Sequence, residues 1–147
     1  MSQKHRSPEP DETGSVSLTK KQVADKVRRR ETLADHDMRG LDLSCLCFDG
    51  MDLTRAKLAH SDLSHATFRR ANLAWASLWG ADLTEADFEG ACLEDADLDQ
   101  ARLAGASFRG ARIRRTLFPL AEVSLEEVQT SVRTGQKIVE HEPDDDG

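Results

Sequence analysis

The chain has 147 residues and a formal net charge of −7. That is length for one domain and at most a small appendage. At 38% hydrophobic and 32% charged residues, with 17 Ala, 17 Leu, 16 Asp and no Tyr, it sits near the lower limit for a large globular core. No apolar run approaches the roughly 18 residues of a membrane span, so no membrane association is expected. The opening Met1-Ser2-Gln3-Lys4-His5-Arg6 lacks the apolar stretch of a signal peptide. Three Cys, an odd number with no CxxC pair, argue against a disulfide framework and for a cytoplasmic location. The negative balance disfavours direct nucleic-acid binding.

In chain order, residues 1–17 are polar and contain Pro, so a disordered tail is expected. Residues 18–30 read as an N-terminal helical cap. Thr19 can N-cap a helix over Lys20–Arg29 with Val23 and Val27 on one face.

From Glu31 to Leu120 the chain divides into 18 units of five, such as ANLAW ASLWG ADLTE ADFEG. The central residue is always Leu, Phe, Met or Ile. From Ala56 on, the residue two before it is Ala in every unit but two, where Ser61 and Thr116 stand. A helix cannot use this pattern, because five residues overshoot a full turn by roughly 140° and Leu would spiral around every side. A continuous strand fails too, since a period of five alternates faces. Short strands joined by regular corners do work. The Ala and the central Leu, two apart, face inward together, and the last two residues turn the corner.

Phe48, Phe68, Phe88 and Phe108 set the number of sides, because they recur every 20 residues, or four units. The other centres form columns as well: Leu53, Leu73, Leu93, Ile113; Leu58, Leu78, Leu98, Phe118; Leu43, Leu63, Leu83, Leu103. Like residues then stack in a four-sided coil. About 4.5 coils at ~4.8 Å per layer make a rod about 22 Å long, with Phe48, Phe68, Phe88 and Phe108 as a core column.

Ala71-Asn72-Leu73, Ala81-Asp82-Leu83 and Ala96-Asp97-Leu98 match the consensus A(D/N)LXX, and the run closely resembles the pentapeptide-repeat family. The resemblance covers Glu31 to about Leu120 and is weakest before Ala56, where Leu41, Leu46 and Met51 replace Ala. It implies an all-β solenoid, a right-handed quadrilateral β-helix. Residues 121–139 read as a C-terminal helical cap. Ser124 and Glu127 form a capping-box pattern ahead of Leu125, Val128 and Val132, and Gly135 is the stop. Residues 140–147 (EHEPDDDG) make an acidic tail expected to be disordered. Helical caps suit a solenoid, whose open ends would otherwise aggregate.

No GxGxxG, GxxxxGK[ST], HExxH or GxSxG motif occurs, so neither catalytic residues nor a cofactor are expected. Stacking brings Cys45, His65 and Glu85 into one corner column, a weak candidate for a metal site set against three unrelated outward residues. Asp49, Arg69, Glu89 and Arg109 form a column of alternating sign, expected to act as an exposed ladder worth ~0–1 kcal/mol per pair. Asp42, Asp62 and Asp82 stack with like charge and end at Arg102.

Between Ala71 and Ala101 lie eight acids (Asp82, Glu85, Asp87, Glu89, Glu94, Asp95, Asp97, Asp99) and no Lys or Arg. The next coil carries Arg102, Arg109, Arg112, Arg114 and Arg115. Trp75 and Trp79 fall on corners, where side chains face out. Exposed Trp pairs are candidate interface anchors, unless the C-terminal helix packs over them.

The expected function is a non-enzymatic protein-interaction scaffold that meets its partner through Trp75, Trp79, Asp82, Glu85, Asp95 and Asp99. Two alternatives come from the resemblance. Some pentapeptide-repeat proteins mimic duplex DNA with acidic rods and protect DNA gyrase from quinolones or toxins, and those dimerise through a hydrophobic C-terminal element. A homodimer through an end cap is the corresponding oligomer. The opening Val23-x3-Val27, Leu33 and MRGLDLSCLCF also resembles pentapeptide-repeat proteins encoded near type VI secretion effectors, which implies an adaptor role.

Overall fold

The computed structural model describes residues 16–139, and the expected tails over 1–15 and 140–147 lie outside the described residues. One unit shows how the chain folds. Ala71 and Leu73 are buried, and Asn72 between them bridges Asp52 on one side and Cys92 on the other. The Asn72 N–H donates to Met51 O at 3.0 Å, the Leu73 N–H to Cys92 O at 2.8 Å and the Trp75 N–H to Glu94 O at 3.0 Å. The corner is closed by the Ala76 N–H on Leu73 O at 3.0 Å, with Trp75 at φ 63°. A left-handed residue in the third place is the requirement of a type II turn.

The same fifth-position geometry recurs in every unit from Asp35 to Arg115, with glycine at only some of these places. All isolated bridges are parallel and join residues 20 apart, from Asp37↔Lys57 to Asp97↔Leu117. The chain is therefore a β-helix with four corners per turn. Its strand segments are too short to form extended sheets.

The interior follows from this register. Phe48, Phe68, Phe88 and Phe108 are fully buried. Their rings lie parallel, with successive centroids 5.0, 4.9 and 5.0 Å apart. That spacing is the layer spacing, wider than the ~3.5–4.0 Å of carbon–carbon contact, so the rings touch by leaning off a direct sandwich. Phe118, at the end of the Leu58, Leu78, Leu98 column, meets Phe108 edge-on at 5.6 Å and 86°. The two units that lack Ala keep their hydroxyls bonded: Ser61 Oγ donates to Leu58 O and Thr116 Oγ1 to Leu93 O, each at 2.6 Å.

Aspartate in the second place has a structural task. The Asp62 carboxylate accepts the Ser64 N–H at 3.0 Å and the Ser64 hydroxyl at 2.6 Å, and Asp82 does the same with Thr84 at 3.0 and 2.6 Å. Asn72 accepts the Ala74 N–H at 3.0 Å. These Asx turns hold the chain as it leaves the strand. The like-charged column Asp42, Asp62, Asp82 is thus a column of corner braces.

Helices lie at both ends. The tail expected over residues 1–17 gives way at Val16: β1 (Val16–Ser17) pairs in parallel with β2 (His36–Asp37), again 20 residues apart. This places Leu18 in register beneath Met38 at the foot of a leucine column. Helix α1 (Lys20–Arg29) follows, with a reciprocal Thr19–Gln22 capping box and Val23 fully buried. At the other end, α2 (Leu125–Thr134) has a Ser124–Glu127 capping box and Gly135 at φ 78° as its stop.

α2 and the segment after it meet open backbone groups of the last coil. The Gly110 N–H donates to Val132 O at 2.9 Å, the Gly105 N–H to Ile138 O at 2.8 Å and the Ile138 N–H to Ala106 O at 2.9 Å. The fully buried Ser131 hydroxyl accepts the Phe108 N–H at 3.0 Å. Among the described residues, no helix is long and apolar enough to cross a membrane.

Replacing Phe88 by Ala removes the ring from between two stacked neighbours, and a loss of about 3–5 kcal/mol is expected in urea unfolding. Ser61→Ala restores the residue used by most units and removes the hydroxyl, while Leu58 O keeps the backbone N–H of residue 61 at 3.2 Å, so a change below about 1 kcal/mol is expected in the same assay.

Candidate functional site

Trp75 is the last residue of its unit and Trp79 the fourth of the next, so the two indoles flank one side of a single coil, with Ser77 between them. Trp75 is 61% exposed and Trp79 39%. α2 does not cover them, because its bonds fall on the end of the rod at Phe108 and Gly110. Trp79 meets the His60 ring edge-on at 5.0 Å and 75°. Gly80 gives that ring its room, since a Cβ there would stand 3.0 Å from His60 Nδ1 and 3.1 Å from His60 Cε1. The left-handed φ of 63° at Trp75 is costly for a bulky residue. Neither the corner nor the core explains why Trp stands there.

The six candidate residues divide between two sides of the rod. One layer above Trp75 and Trp79 stand Asp95 and Asp99, with Asp97 over Ser77. Asp82 lies beyond the next corner and Glu85 at the corner after that. Two of the acids are answered by cations from the C-terminal end. Arg115 holds Asp95 through two bonds, at 2.7 and 3.0 Å. Lys137 Nζ meets Glu85 at 2.8 Å. Glu85 can lean there because Gly105 lies above it: a Cβ at that position would come within 2.3 Å of the carboxylate. Asp82 is committed to Thr84, and Asp99 accepts the Gln100 N–H at 2.9 Å.

Of two groupings weighed from stacking, the weak metal candidate does not assemble and the charge ladder forms only in part. Cys45, His65 and Glu85 share a column, but Glu85 turns to Lys137. Among the described residues, no group of three His, Cys, Asp or Glu side chains could hold a metal ion. The column Asp49, Arg69, Glu89, Arg109 keeps one long rung, Arg69–Glu89. Arg69 Nε lies 2.7 Å from Asp87 and only 3.9 Å from Glu89, while Asp49 accepts the Arg69 backbone N–H at 2.9 Å. Arg is long enough to reach across to the next strand, and the Asp87 carboxylate is less exposed than that of Glu89 (25% against 52%), so less screened by water. Arg109 lays its stem under Gly135, where a Cβ would stand 3.0 Å from its Cδ.

Sequence reasoning passed over Lys137, Ser131 and the pairing of Arg115 with Asp95. The 20-residue register names that last pair at once, since 95 and 115 share a column. Ser131 and Lys137 lie beyond the repeat, and no column predicts them.

A family model described as pentapeptide repeats, in eight copies, matches residues 47–84 and 81–118. A pentapeptide repeat protein from Nostoc PCC 7120 is 31% identical, with a TM-score of 0.54 over 78% of this chain and 88% of that one. A pentapeptide repeat protein of the Arabidopsis thaliana thylakoid lumen is 36% identical, with a TM-score of 0.49 over 54% of this chain and 59% of that one. The chain thus spans little more than half the length of the Arabidopsis protein. QnrB1, a plasmid-mediated fluoroquinolone resistance protein, is 19% identical, with a TM-score of 0.30 over 74% of this chain and 51% of that one, too distant to carry a functional argument. No curated protein matches.

The Lys137–Glu85 contact gives the C-terminal segment a pH dependence. Lys137, hydrogen-bonded and oppositely charged, holds the Glu85 carboxyl below the usual carboxylate range, and Glu85 in turn raises the Lys137 ammonium. A lowered acid pKa favours the folded form above the usual carboxylate range, and that contribution is lost as pH falls through it. A raised lysine pKa favours the folded form below the usual ammonium range, and that contribution is lost as pH rises through it. The contact is therefore complete at neutral pH. Protection of the Gly105 and Ile138 amides from hydrogen exchange is expected to fall below about pH 4, and Glu85→Gln should remove most of that acid dependence.

Proposed function

The chain belongs to the pentapeptide-repeat family, and from that premise we propose that it is a non-enzymatic interaction scaffold whose protein partner docks on the Trp75–Trp79 side of the rod. Proteins of this family are generally structural or interaction modules. The observation that carries the reading is the exposure of both indoles, 61% and 39%, on one side of the rod where the core uses neither. Large exposed aromatics held in place by a fixed backbone lose little entropy on binding, which makes them effective interface anchors. The scaffold we propose has about 4.5 coils closed by helices at both ends, and it works in the cytoplasm.

A gyrase-directed mimic of DNA needs an unbroken acidic surface. Arg115 and Lys137 neutralise two of its carboxylates here, and Arg102, Arg112 and Arg114 follow in the last coil. We therefore expect this protein neither to inhibit nor to protect gyrase in a supercoiling assay, and activity there would restore that reading. An adaptor role beside a secretion system is compatible with the scaffold, and its partner would identify it.

The double variant Trp75→Gly, Trp79→Ala separates binding from folding. Glycine occupies several equivalent left-handed corners, and alanine stands at the fourth place in other units, so stability should change by less than about 1 kcal/mol. In affinity capture from the native host the variant is expected to lose the partners held by the wild type. Retention of the same partners by a folded variant would refute the proposal.

A further inference from the structure

We propose that the partner segment received by this side is cationic, with an arginine laid against the indoles and drawn toward Asp97 and Asp99. This rests on the Trp75–Trp79 docking reading and specifies its chemistry. The register places Asp97 one layer, about 4.8 Å, above Ser77, between the columns of the two Trp residues. The three acids of that layer differ in how they are compensated. Asp95 is held by Arg115 at 2.7 Å and is 12% exposed at its side chain. Asp97 accepts only the Asp99 N–H at 2.9 Å, and Asp99 accepts from Gln100. Among the described residues, neither Asp97 nor Asp99 forms an ion pair with a cation, whereas other acids of the band do: Asp87 with Arg69, Asp95 with Arg115 and Glu85 with Lys137.

The side thus pairs exposed indoles with two partly exposed carboxylates that form no ion pair among the described residues. That combination selects a cation twice over. An ammonium or guanidinium is attracted to the face of an indole. A guanidinium can in addition stack flat on the ring and present a fork of donors to a carboxylate, so arginine suits the site better than lysine. Phosphate backbones, anionic membrane surfaces and acidic peptides meet the same carboxylates with the wrong sign. The small Ser77 stands between the two indole columns, with Lys57 one layer below it and Asp97 one layer above.

Trp75 and Trp79 are the only two Trp of the chain, so intrinsic fluorescence reports on this side alone. The full-length protein is titrated with a short tetra-arginine peptide, with tetra-lysine and tetra-glutamate peptides alongside. A saturable change in emission with tetra-arginine is expected, weaker with tetra-lysine and absent with tetra-glutamate. The variant Asp97→Asn, Asp99→Asn keeps the corner, because asparagine already braces the corner at Asn72. It should weaken tetra-arginine binding about tenfold or more. Glu89→Gln, Glu126→Gln removes the same charge elsewhere and should leave binding within twofold.

No saturable change with tetra-arginine, an equal response to tetra-glutamate, or equal weakening by the two charge variants would each overturn the proposal. The two readings fail separately. A native partner lost with the Trp variant but held unchanged by the Asp97→Asn, Asp99→Asn variant refutes the cationic segment and leaves the docking side standing. Loss with both variants supports both.

Discussion

Everything in this rod depends on a left-handed residue at every fifth position. From Asp35 to Arg115 the corner residue has a positive φ without exception. Each such residue closes a tight turn, and four of them bring the chain back over itself after 20 residues. Glycine adopts that conformation without penalty, whereas other residues pay roughly 1–2 kcal/mol in sterics. Yet eleven of these corners are not glycine. The strain is met by hydrogen bonds that each turn makes possible: the corner N–H reaches the next coil, the following N–H closes the turn, and Asp or Asn in the second place braces the exit. Cooperation between neighbouring coils, and not local propensity, holds the corner residues where they are.

Once the period is fixed at 20, the chemistry of the surface is fixed with it. A side chain at a corner meets the residues 20 before and after it more closely than its neighbours in sequence. This explains a recurrent pairing of a long corner residue with a glycine one coil later: His60 with Gly80, Arg70 with Gly90, and Glu85 with Gly105. The long side chain leans up the rod, and the missing Cβ is where it lies. In one case that movement carries a carboxylate to Lys137 and secures the C-terminal segment. In another it brings His60 against Trp79. The glycines act on the surface of the rod as well as on its backbone.

The interior was legible in the sequence because it repeats in kind. Leu or Phe in the centre, Ala two before it and Phe every 20 residues need only counting. The helices were legible as well, down to Thr19, Ser124 and Gly135, because capping uses a small set of residues for one physical reason. The surface was less so. The alternating column Asp49, Arg69, Glu89, Arg109 looked like a ladder of pairs, but a guanidinium takes the less exposed Asp87 when its stem is long enough to reach it. Asp in the second place looked like surface charge, yet its carboxylate works as a hydrogen-bond acceptor for the next corner. Val16 and Ser17 have polar neighbours, and two residues of strand leave no period to detect. Ser131 and Lys137 lay outside every column.

A structure built this way has a packed interior, so recognition must occur on its sides and ends. The sides are rigid, and each residue on them is held to the register of the whole rod. Some of their charges are matched within the chain, by Arg69, Arg115 and Lys137 among others. What sets the Trp75–Trp79 side apart is that its unpaired carboxylates stand beside two indoles. On the Trp75–Trp79 side two indoles remain exposed, one of them in part, and two carboxylates remain without a cation among the described residues. Burying them in the fold was not open to a narrow coil whose inward places take one small and one large residue per unit. Neutralising Asp97 or Asp99 was open to it, since the next coil supplies Arg115 to Asp95 but places Leu117 above Asp97 and Pro119 above Asp99. An arginine in either of those columns could have closed the surface. Their absence leaves the side open to a cation from another molecule.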